Sequence, residues 1–454
     1  MKLLLMHPPL LDVTFNEIQP TPGQLFTIFS YLRRHNRDLE IDVMDLTRSA
    51  SQFTGKKNVL FSDFIKKQFE KSAPDVLAIS CYTSMHYIIT QFIAGLFKEE
   101  NPKGIVIVGG YHPTVLPADF TTPGAPYDYV VRGEGEIALS RLLKQPLNPQ
   151  HRAKLIRGID LDIETEELMW DEYPLLKKNG GKIVIFLGRG CPFRCNFCLE
   201  PCRKPGHKSN YRLYSSKKAR QTVETLVKKI DPAEMFFGDP IFGLRVEWRR
   251  QFLKDLSAVA PDIPIWAETR ADTLGKEDVD LLKPLLFRID LGLDAIVPGN
   301  IIRQNKSRNP KKYIARFRTV SDYMNEKEIP HSAFILYNFP GETPESYRRT
   351  RQTILDIAKS RPVNYTCFVG QAYCLYPGTG SYLRMKDYEE RYGSRFPNDG
   401  WWRRISDDRY SLASATIASR EMEGEEIDFP GDVSRLFSET IHDKALLHWP
   451  HEER

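Results

Sequence analysis

Short apolar runs recur along the chain, each closed by a polar or glycine-rich stop and followed by a longer mixed segment. The first, Lys2 to Met6, is ended by His7-Pro8-Pro9 and predicts a buried strand running into a loop. Ile41 to Leu46, Val76 to Ser80, Ile105 to Val108 and Tyr129 to Val131 repeat the pattern, separated by stretches long enough for a helix. The alternation predicts an α/β domain over residues 1–145, a doubly wound, Rossmann-like parallel sheet with helices on both faces. Ligands of such sheets bind outside the carboxyl ends of the strands. Those ends carry Ser80-Cys81-Tyr82-Thr83-Ser84, Gly109-Gly110-Tyr111-His112-Pro113-Thr114 and Arg132-Gly133-Glu134-Gly135-Glu136, which are small, polar and glycine-rich.

Residues 146–174 combine proline, mixed charge and little periodicity, and read as a linker. A second alternating series follows, with strand candidates Ile183 to Leu187, Met235 to Phe237, Ile265 to Ala267, Arg288 to Leu291, Ala333 to Leu336 and Thr366 to Val369. Six strands with intervening helices predict a partial (β/α)6 barrel over residues 175–380. Beyond it, residues 381–454 turn charged and aromatic, with Trp401-Trp402 and no strand series, and predict a small, mainly helical C-terminal segment.

The chain has 454 residues, more than one core usually serves, and its 41% hydrophobic and 27% charged content is ordinary for a globular protein. The net charge of +5 is small against 64 basic and 59 acidic residues, so the balance calls for neither nucleic acid nor a membrane surface, and a small-molecule or peptide substrate fits better. No apolar stretch reaches bilayer length, and the start of the chain runs into Pro8 and Pro9 rather than a signal-peptide core, which predicts a cytoplasmic protein. Seven cysteines, three of them between Cys191 and Cys198, argue against a secreted disulfide framework and for metal ligation.

Gly190-Cys191-Pro192-Phe193-Arg194-Cys195-Asn196-Phe197-Cys198 sets three thiols at C-x3-C-x2-C spacing directly after an apolar strand. Three thiolates on one loop can hold three irons of a four-iron cluster and leave the fourth open to another ligand. A structural zinc site needs a fourth ligand to close its tetrahedron, and Cys202 or His207 keeps that reading in play.

The motif, with aromatic Phe197 before its last cysteine, resembles the signature of the radical S-adenosylmethionine superfamily. The resemblance implies that Cys191, Cys195 and Cys198 ligate a [4Fe-4S] cluster whose open iron chelates S-adenosylmethionine, and that Phe197 meets the adenine. It places Gly238 and Asp239 at the methionine amino group, although Pro240 stands where many relatives carry a second acid. Glu268 and Arg270 end the third strand, and Asp294, in Gly292-Leu293-Asp294, takes the place of a Glu in relatives. Asn305-Lys306, Phe339-Pro340-Gly341-Glu342 and Tyr376-Pro377-Gly378-Thr379 are similar to later family landmarks, so Pro340 and Gly341 join the S-adenosylmethionine set. Each has a local alternative: Thr343 as a helix N-cap with Pro344 in the first turn, Asp239 and Asp294 as loop caps, Arg270 as an ion-paired group.

The glycine-rich strand ends of the first domain resemble the cobalamin-binding domain that precedes the radical domain in one large subfamily. The resemblance implies a corrin across those ends, held by Ser80, Thr83, Ser84, Gly109, Gly110, His112, Thr114, Gly133 and Glu134. None of the ten histidines lies in an Asp-x-His-x-x-Gly context, so a lower axial histidine is not expected. The plain alternative is a domain that keeps the fold without the cofactor, with His112 satisfying a loop carbonyl.

Together the two resemblances imply an enzyme that makes a 5′-deoxyadenosyl radical and methylates an unactivated carbon with cobalamin, drawing electrons from a donor such as flavodoxin or ferredoxin. Radical dehydration, cyclisation or epimerisation, for example of an aminoglycoside-like sugar, is the alternative, with Glu268, His331, Tyr337 and Cys374 as acid or base candidates. A non-catalytic cluster or corrin carrier is a third reading. Cys81 and Cys367 read as core, Arg203 to Lys208 as a solvated loop, and Trp401-Trp402-Arg403-Arg404 as either a substrate platform or packing against the barrel.

Overall fold

The computed structural model describes residues 1–10, 23–47, 60–176, 181–203, 211–260, 262–361, 364–406 and 408–425. In the first domain β1 (Lys2–His7), β2 (Glu40–Asp45), β3 (Val76–Ser80), β4 (Ile105–Gly109), β5 (Tyr129–Arg132) and β6 (Lys154–Arg157) form one parallel sheet in the order β2-β1-β3-β4-β5-β6. Each predicted strand is present. The inner strands β1, β3, β4 and β5 are buried on both faces, and alternate residues serve different cores. Leu3, Leu5, Ala78 and Ile107 pack with α1 (Gly23–His35), whereas Leu4, Met6, Leu77 and Val108 pack with α2 (Phe61–Ser72) and α3 (Tyr87–Glu100). Two short helices, α4 (Tyr111–Val115) and α5 (Glu136–Leu143), follow β4 and β5.

The stretch read as a linker is part of the packed structure. Lys154–Arg157 adds β6 to the sheet edge beside β5. Trp170 and Tyr173 are buried against Phe26 of α1, with ring centroids 4.6 and 5.0 Å away. Short exposed strands and isolated aromatics carry no periodicity, so no pattern along the chain marks them.

The second sheet runs β14-β13-β12-β11-β10-β7, all parallel: β7 (Lys182–Ile185), β10 (Glu234–Phe237), β11 (Ile265–Arg270), β12 (Phe287–Asp294), β13 (His331–Tyr337) and β14 (Thr366–Ala372). Helices α6 (Ser216–Ile230), α7 (Val246–Val259), α8 (Lys276–Leu282), α9 (Pro298–Arg303), α10 (Pro310–Glu326) and α11 (Pro344–Lys359) lie between successive strands. Ile265 and Ala267 of β11 point to the helices, so Trp266, Glu268 and Arg270 face the lumen. Thr343 caps α11, its hydroxyl accepting from Ser346 N at 3.2 Å, with Pro344 in the first turn. A two-stranded ribbon, β8 (Gly188–Arg189) with β9 (Arg212–Leu213), sits at the top of β7.

The C-terminal segment is only partly helical, with α12 (Met385–Tyr392), α13 (Arg409–Ser414) and a β-bridge between Arg395 and Ile417; residues 426–454 lie outside the described set. Trp401 and Trp402 pack against the first domain rather than the barrel, in the core of α2 and α3. Trp402 Nε1 donates to Asp119 at 2.7 Å and Arg403 pairs with the same carboxylate at 2.6 Å. The chain thus straps its last described segment back onto its first domain.

Candidate active site

The cysteine loop leaves β8 through Gly190, whose φ of 78° suits a residue without Cβ. Cys191, Cys195 and Cys198 are free thiols. Asn196 fastens the loop: its backbone N–H donates to Gln304 O at 2.9 Å, its side chain donates to Arg303 O, and its own carbonyl accepts from Ser381 N and Oγ, both at 2.9 Å. Asn305 Nδ2 donates to Arg194 O at 2.7 Å. Burial pushes the Cys191 thiol up to about 11 and Cys198 well above the ordinary thiol value. Thiolates in such a setting need a cation beside them, which iron supplies. Cys202 donates its thiol to Gly378 O at 2.9 Å, so it braces a turn; His207 lies outside the described residues. Three thiols on one loop, with no fourth ligand offered among the described residues, suit a cluster with an open iron better than a closed zinc tetrahedron.

Next to the loop stands a network of charges. Arg270 Nη1 lies 3.8 Å from Cys195 Sγ, its guanidinium stacks 3.8 Å over Phe193, and it pairs with Asp272 at 2.9 Å. Arg270 Nη2 also donates to Lys306 O at 2.8 Å. Lys306 in turn pairs with Asp294 and donates to Gly292 O at 2.9 Å, while Tyr313 OH donates to the Gly292 and Leu293 carbonyls at 3.0 Å. Burial disfavours charge on Lys306, but Asp294 beside it keeps the ammonium protonated. Phe197 lies at the edge of this network, its ring 5.8 Å from Lys306 Nζ. Glu268, reached by solvent within the lumen, sits opposite Asp290 in register; its enclosed setting and then Asp290 and Asp294 push its carboxyl up to about 7.

Asp239 Oδ1 accepts from Leu187 N at 2.7 Å and Gly188 N at 3.0 Å, tying the end of β10 to the strand that launches the cysteine loop. Burial pushes this carboxyl up to about 7, and its second oxygen is buried without a partner.

A cleft with about 1200 Å³ of empty space, partly open to solvent, separates the two sets of strand ends. Ser80, Gly109, Gly110, Thr114, Gly133 and Glu134 line one wall, and Phe186, Arg189, Gly238 and Pro240 line the other. A Cβ on Gly110 would lie 2.3 Å from Cys81 O, at a φ of 121°, so only glycine lets β4 and β3 end this close together. Leu5, Ala78, Ile107 and Val131 floor the cleft, and Tyr82 and Tyr111 border it, an apolar bed with a polar rim that fits a corrin.

Several expected residues lie elsewhere. His112 is buried between Ser84, 2.6 Å from its Nδ1, and Asp119, 3.1 Å from its Nε2, and burial lowers its basicity. Thr83 caps the short turn at Ser84. Ser84, whose carbonyl accepts from Arg409, and His112, through Asp119, therefore brace the C-terminal strap instead of lining the cleft, and Thr83 serves its own turn. His331 faces the helices, within 2.9 Å of Ser321 and Thr366, and is not at the barrel mouth. Cys374 packs on the first-domain core, whereas Tyr337, partly buried, ends β13 at the mouth of the barrel. Gly341 donates to Ala418 O at 2.6 Å and abuts Arg303 and Tyr392, which makes the Pro340-Gly341 turn a seat for the C-terminal segment.

The structure adds residues that motif reading passed over. Arg189 Nη1 donates to Glu136 at 2.6 Å and lies 3.6 Å from Glu134, while Nη2 donates to Glu166 at 3.0 Å; Arg212 also pairs with Glu134. Tyr111 OH donates to Glu200, whose backbone N lies 3.4 Å from Cys198 Sγ. Lys306 was visible as a landmark, but its partner Tyr313 carried no signal beyond helical periodicity.

Comparison with known proteins agrees with this geometry. Residues 25–143 match the family model of the B12 binding domain and residues 185–354 that of the radical SAM superfamily. An uncharacterized methyltransferase of Pyrococcus horikoshii is 25% identical over 401 residues, 84% of this chain and 82% of that protein. The cobalamin-dependent radical SAM methyltransferase TokK of Streptomyces tokunonensis is 25% identical over 195 residues, 38% of this chain and 28% of its own. The solved structure of the radical methyltransferase TsrM from Kitasatospora setae, with cobalamin and [4Fe-4S] cluster bound, shares the fold at a TM-score of 0.67 and 16% identity, covering 96% of this chain and 88% of that one. The chain belongs to the radical S-adenosylmethionine superfamily, in the subfamily whose radical domain follows a cobalamin-binding domain. It is an enzyme of that class, with a [4Fe-4S] cluster, S-adenosylmethionine and cobalamin as cofactors.

Proposed function

We propose that this enzyme methylates an unactivated carbon of a small-molecule or peptide substrate. The observation that carries the reading is the cleft walled by both domains, in which Arg189, a wall residue, stands two positions before Cys191. A bed for a corrin and the loop for a cluster therefore face one space. The relatives named as methyltransferases support the same reading. When bound, the cluster and S-adenosylmethionine supply a 5′-deoxyadenosyl radical, and cobalamin supplies a transferable methyl group.

The chain's own residues place these groups. Cys191, Cys195 and Cys198 hold the cluster, and Asp239 fixes the loop that bears them through Leu187 and Gly188. Arg270, Lys306 and Asp294 offer paired charges for the carboxylate, amine and ribose of S-adenosylmethionine next to Cys195. Leu5, Ala78, Ile107 and Val131 with Tyr82 and Tyr111 exclude water from the far side of the cleft.

No helix of the described residues is long and apolar enough to cross a membrane. We place the enzyme in the cytoplasm, where its free thiols stay reduced. Anaerobic turnover should release 5′-deoxyadenosine and S-adenosylhomocysteine together with a methylated product. Deoxyadenosine alone, from protein that cannot be loaded with cobalamin, overturns the methyl-transfer reading.

A further inference from the structure

Among the described residues, the charged side chains on the inner face of the barrel are paired within the protein, with one exception. Lys182 pairs with Glu234 at 3.1 Å, Arg270 with Asp272 at 2.9 Å, Arg288 with Asp290 at 3.1 Å, and Lys306 with Asp294. Glu268 shares that face and makes no side-chain hydrogen bond or ion pair there. Arg288 attracts it, but Asp290 and Asp294 both repel it. The space around it is open. Glu268 is exposed although β11 lies inside the sheet, and Phe236, Trp266, Phe334 and Val369 on the same face are only half-buried, whereas the opposite face of these strands is core. Its neighbours tie this space to the reacting groups. Arg270, whose Nη1 lies 3.8 Å from Cys195 Sγ, is two residues further along β11, roughly 7 Å toward the cysteine loop. On the other side, the pairing of Phe237 with Ala267 sets Gly238, a wall of the cleft, beside Glu268. A Cβ on Gly238 would lie 2.8 Å from Phe186 Cε1 and Val184 Cγ1, so glycine leaves no side chain between Glu268 and the cleft.

We propose that Glu268 binds the ammonium group of the molecule that is methylated, so that the substrate is a primary amine. The inference deepens the methyl-transfer reading and rests on it for the ligand's being the substrate. An enclosed carboxylate without a partner is costly to keep charged. A protonated amine supplies the missing charge together with N–H donors for the free oxygens. The cations of the lumen are not available to an anionic substrate instead: Arg288 is held by Asp290 and by Ser332 Oγ at 2.9 Å, and Arg270 and Lys306 by Asp272 and Asp294. Phe236 and Trp266, stacked at 4.3 Å one row deeper, and Phe334 and Val369 on β13 and β14 offer aromatic and apolar surface to the rest of the molecule.

The test uses the full chain loaded with iron and cobalamin, held without oxygen in the presence of S-adenosylmethionine and without a reductant, so that calorimetry reads binding and not turnover. The probes share one frame: 2-phenylethylamine, 2-phenylethanol and 3-phenylpropionate. Wild-type protein should bind the amine at least tenfold more tightly than the alcohol or the carboxylate. Glu268→Gln should erase that preference and Glu268→Lys should reverse it toward 3-phenylpropionate, with iron content and circular dichroism showing that each variant is folded. Should either variant lose its iron, the wild-type comparison decides alone. An amine bound no better than the alcohol by wild-type protein overturns the proposal, and so does an amine preference that survives both substitutions. Weaker binding of S-adenosylmethionine to Glu268→Gln with the amine preference intact assigns the carboxylate to the cofactor and overturns it as well. No product forms in these measurements, so a failure of methyl transfer leaves an amine preference standing, and a missing amine preference leaves methyl transfer standing.

Discussion

Arg189 Nη1 donates to Glu136 Oε1 at 2.6 Å across the boundary between the two domains. Arg189 lies directly before the cysteine loop, and Glu136 opens the helix behind the glycine-rich end of β5. Burial would raise Glu134, but Arg189 and Arg212 outweigh it and hold this carboxyl below its ordinary value. Glu166 is driven the other way, by its burial and by Glu136, more than Arg189 can offset. One guanidinium thus balances three buried carboxylates, two from the first domain and Glu166 from the stretch that follows it. Its replacement by Met should leave those acids facing one another and cost about 3–5 kcal/mol, seen as a lower denaturation midpoint with looser iron retention. A midpoint within error of wild type refutes the role.

Cys195→Ala should abolish the iron–sulfur absorbance and the iron content while the circular dichroism stays folded. Cys202→Ala should keep its iron, because its thiol is spent on Gly378 O. Loss of iron in the second variant would make Cys202 a ligand.

Gly109 tests the corrin bed without disturbing the sheet. A Cβ there meets nothing nearer than Val131 O at 3.8 Å, so the fold has room for a side chain, and Gly109 lines the cleft. Gly109→Leu should retain normal stability and iron yet take up no cobalamin on reconstitution, as read from the corrin absorbance. Cobalamin uptake equal to wild type would move the ligand elsewhere.

Asp239 should leave a mark on the pH dependence of stability. Burial raises its carboxyl to about 7, whereas an unfolded Asp ionises near about 4. Between those values the folded protein keeps a proton that the unfolded chain has released, so this group's contribution is full below about pH 4 and is lost as the pH rises to about 7. Asp239→Asn keeps a carbonyl oxygen for Leu187 and Gly188 and removes the titration. The stability difference between the two proteins, followed by urea unfolding, should therefore change through that window. Asp239→Ala should cost about 1–3 kcal/mol for each orphaned backbone donor. A difference independent of pH would show that the carboxyl titrates normally.

The strands and the cluster motif were legible because both are local. Buried parallel strands are continuous apolar runs, and Cys191, Cys195 and Cys198 sit within one short loop, so neither needed a partner elsewhere in the chain. The glycines of the cleft were legible for a related reason: Gly110 answers a backbone demand that no other residue meets. His112, Ser84 and His331 were misplaced because a strand's side chains alternate faces, and a loop position says nothing about which wall it joins.

The sequence by itself determined two strand–helix series, a cluster loop and a glycine-rich ligand edge, since each is written in neighbouring residues. Only the tertiary structure decided that the two edges face one cleft, that Lys154–Arg157 joins the first sheet, and that Trp401 and Trp402 close on the opposite domain. Those outcomes depend on pairs such as Arg189 with Glu136 and Trp402 with Asp119, 53 and 283 residues apart. Packing and charge compensation select such partners in space, and neither leaves a period or a motif along the chain.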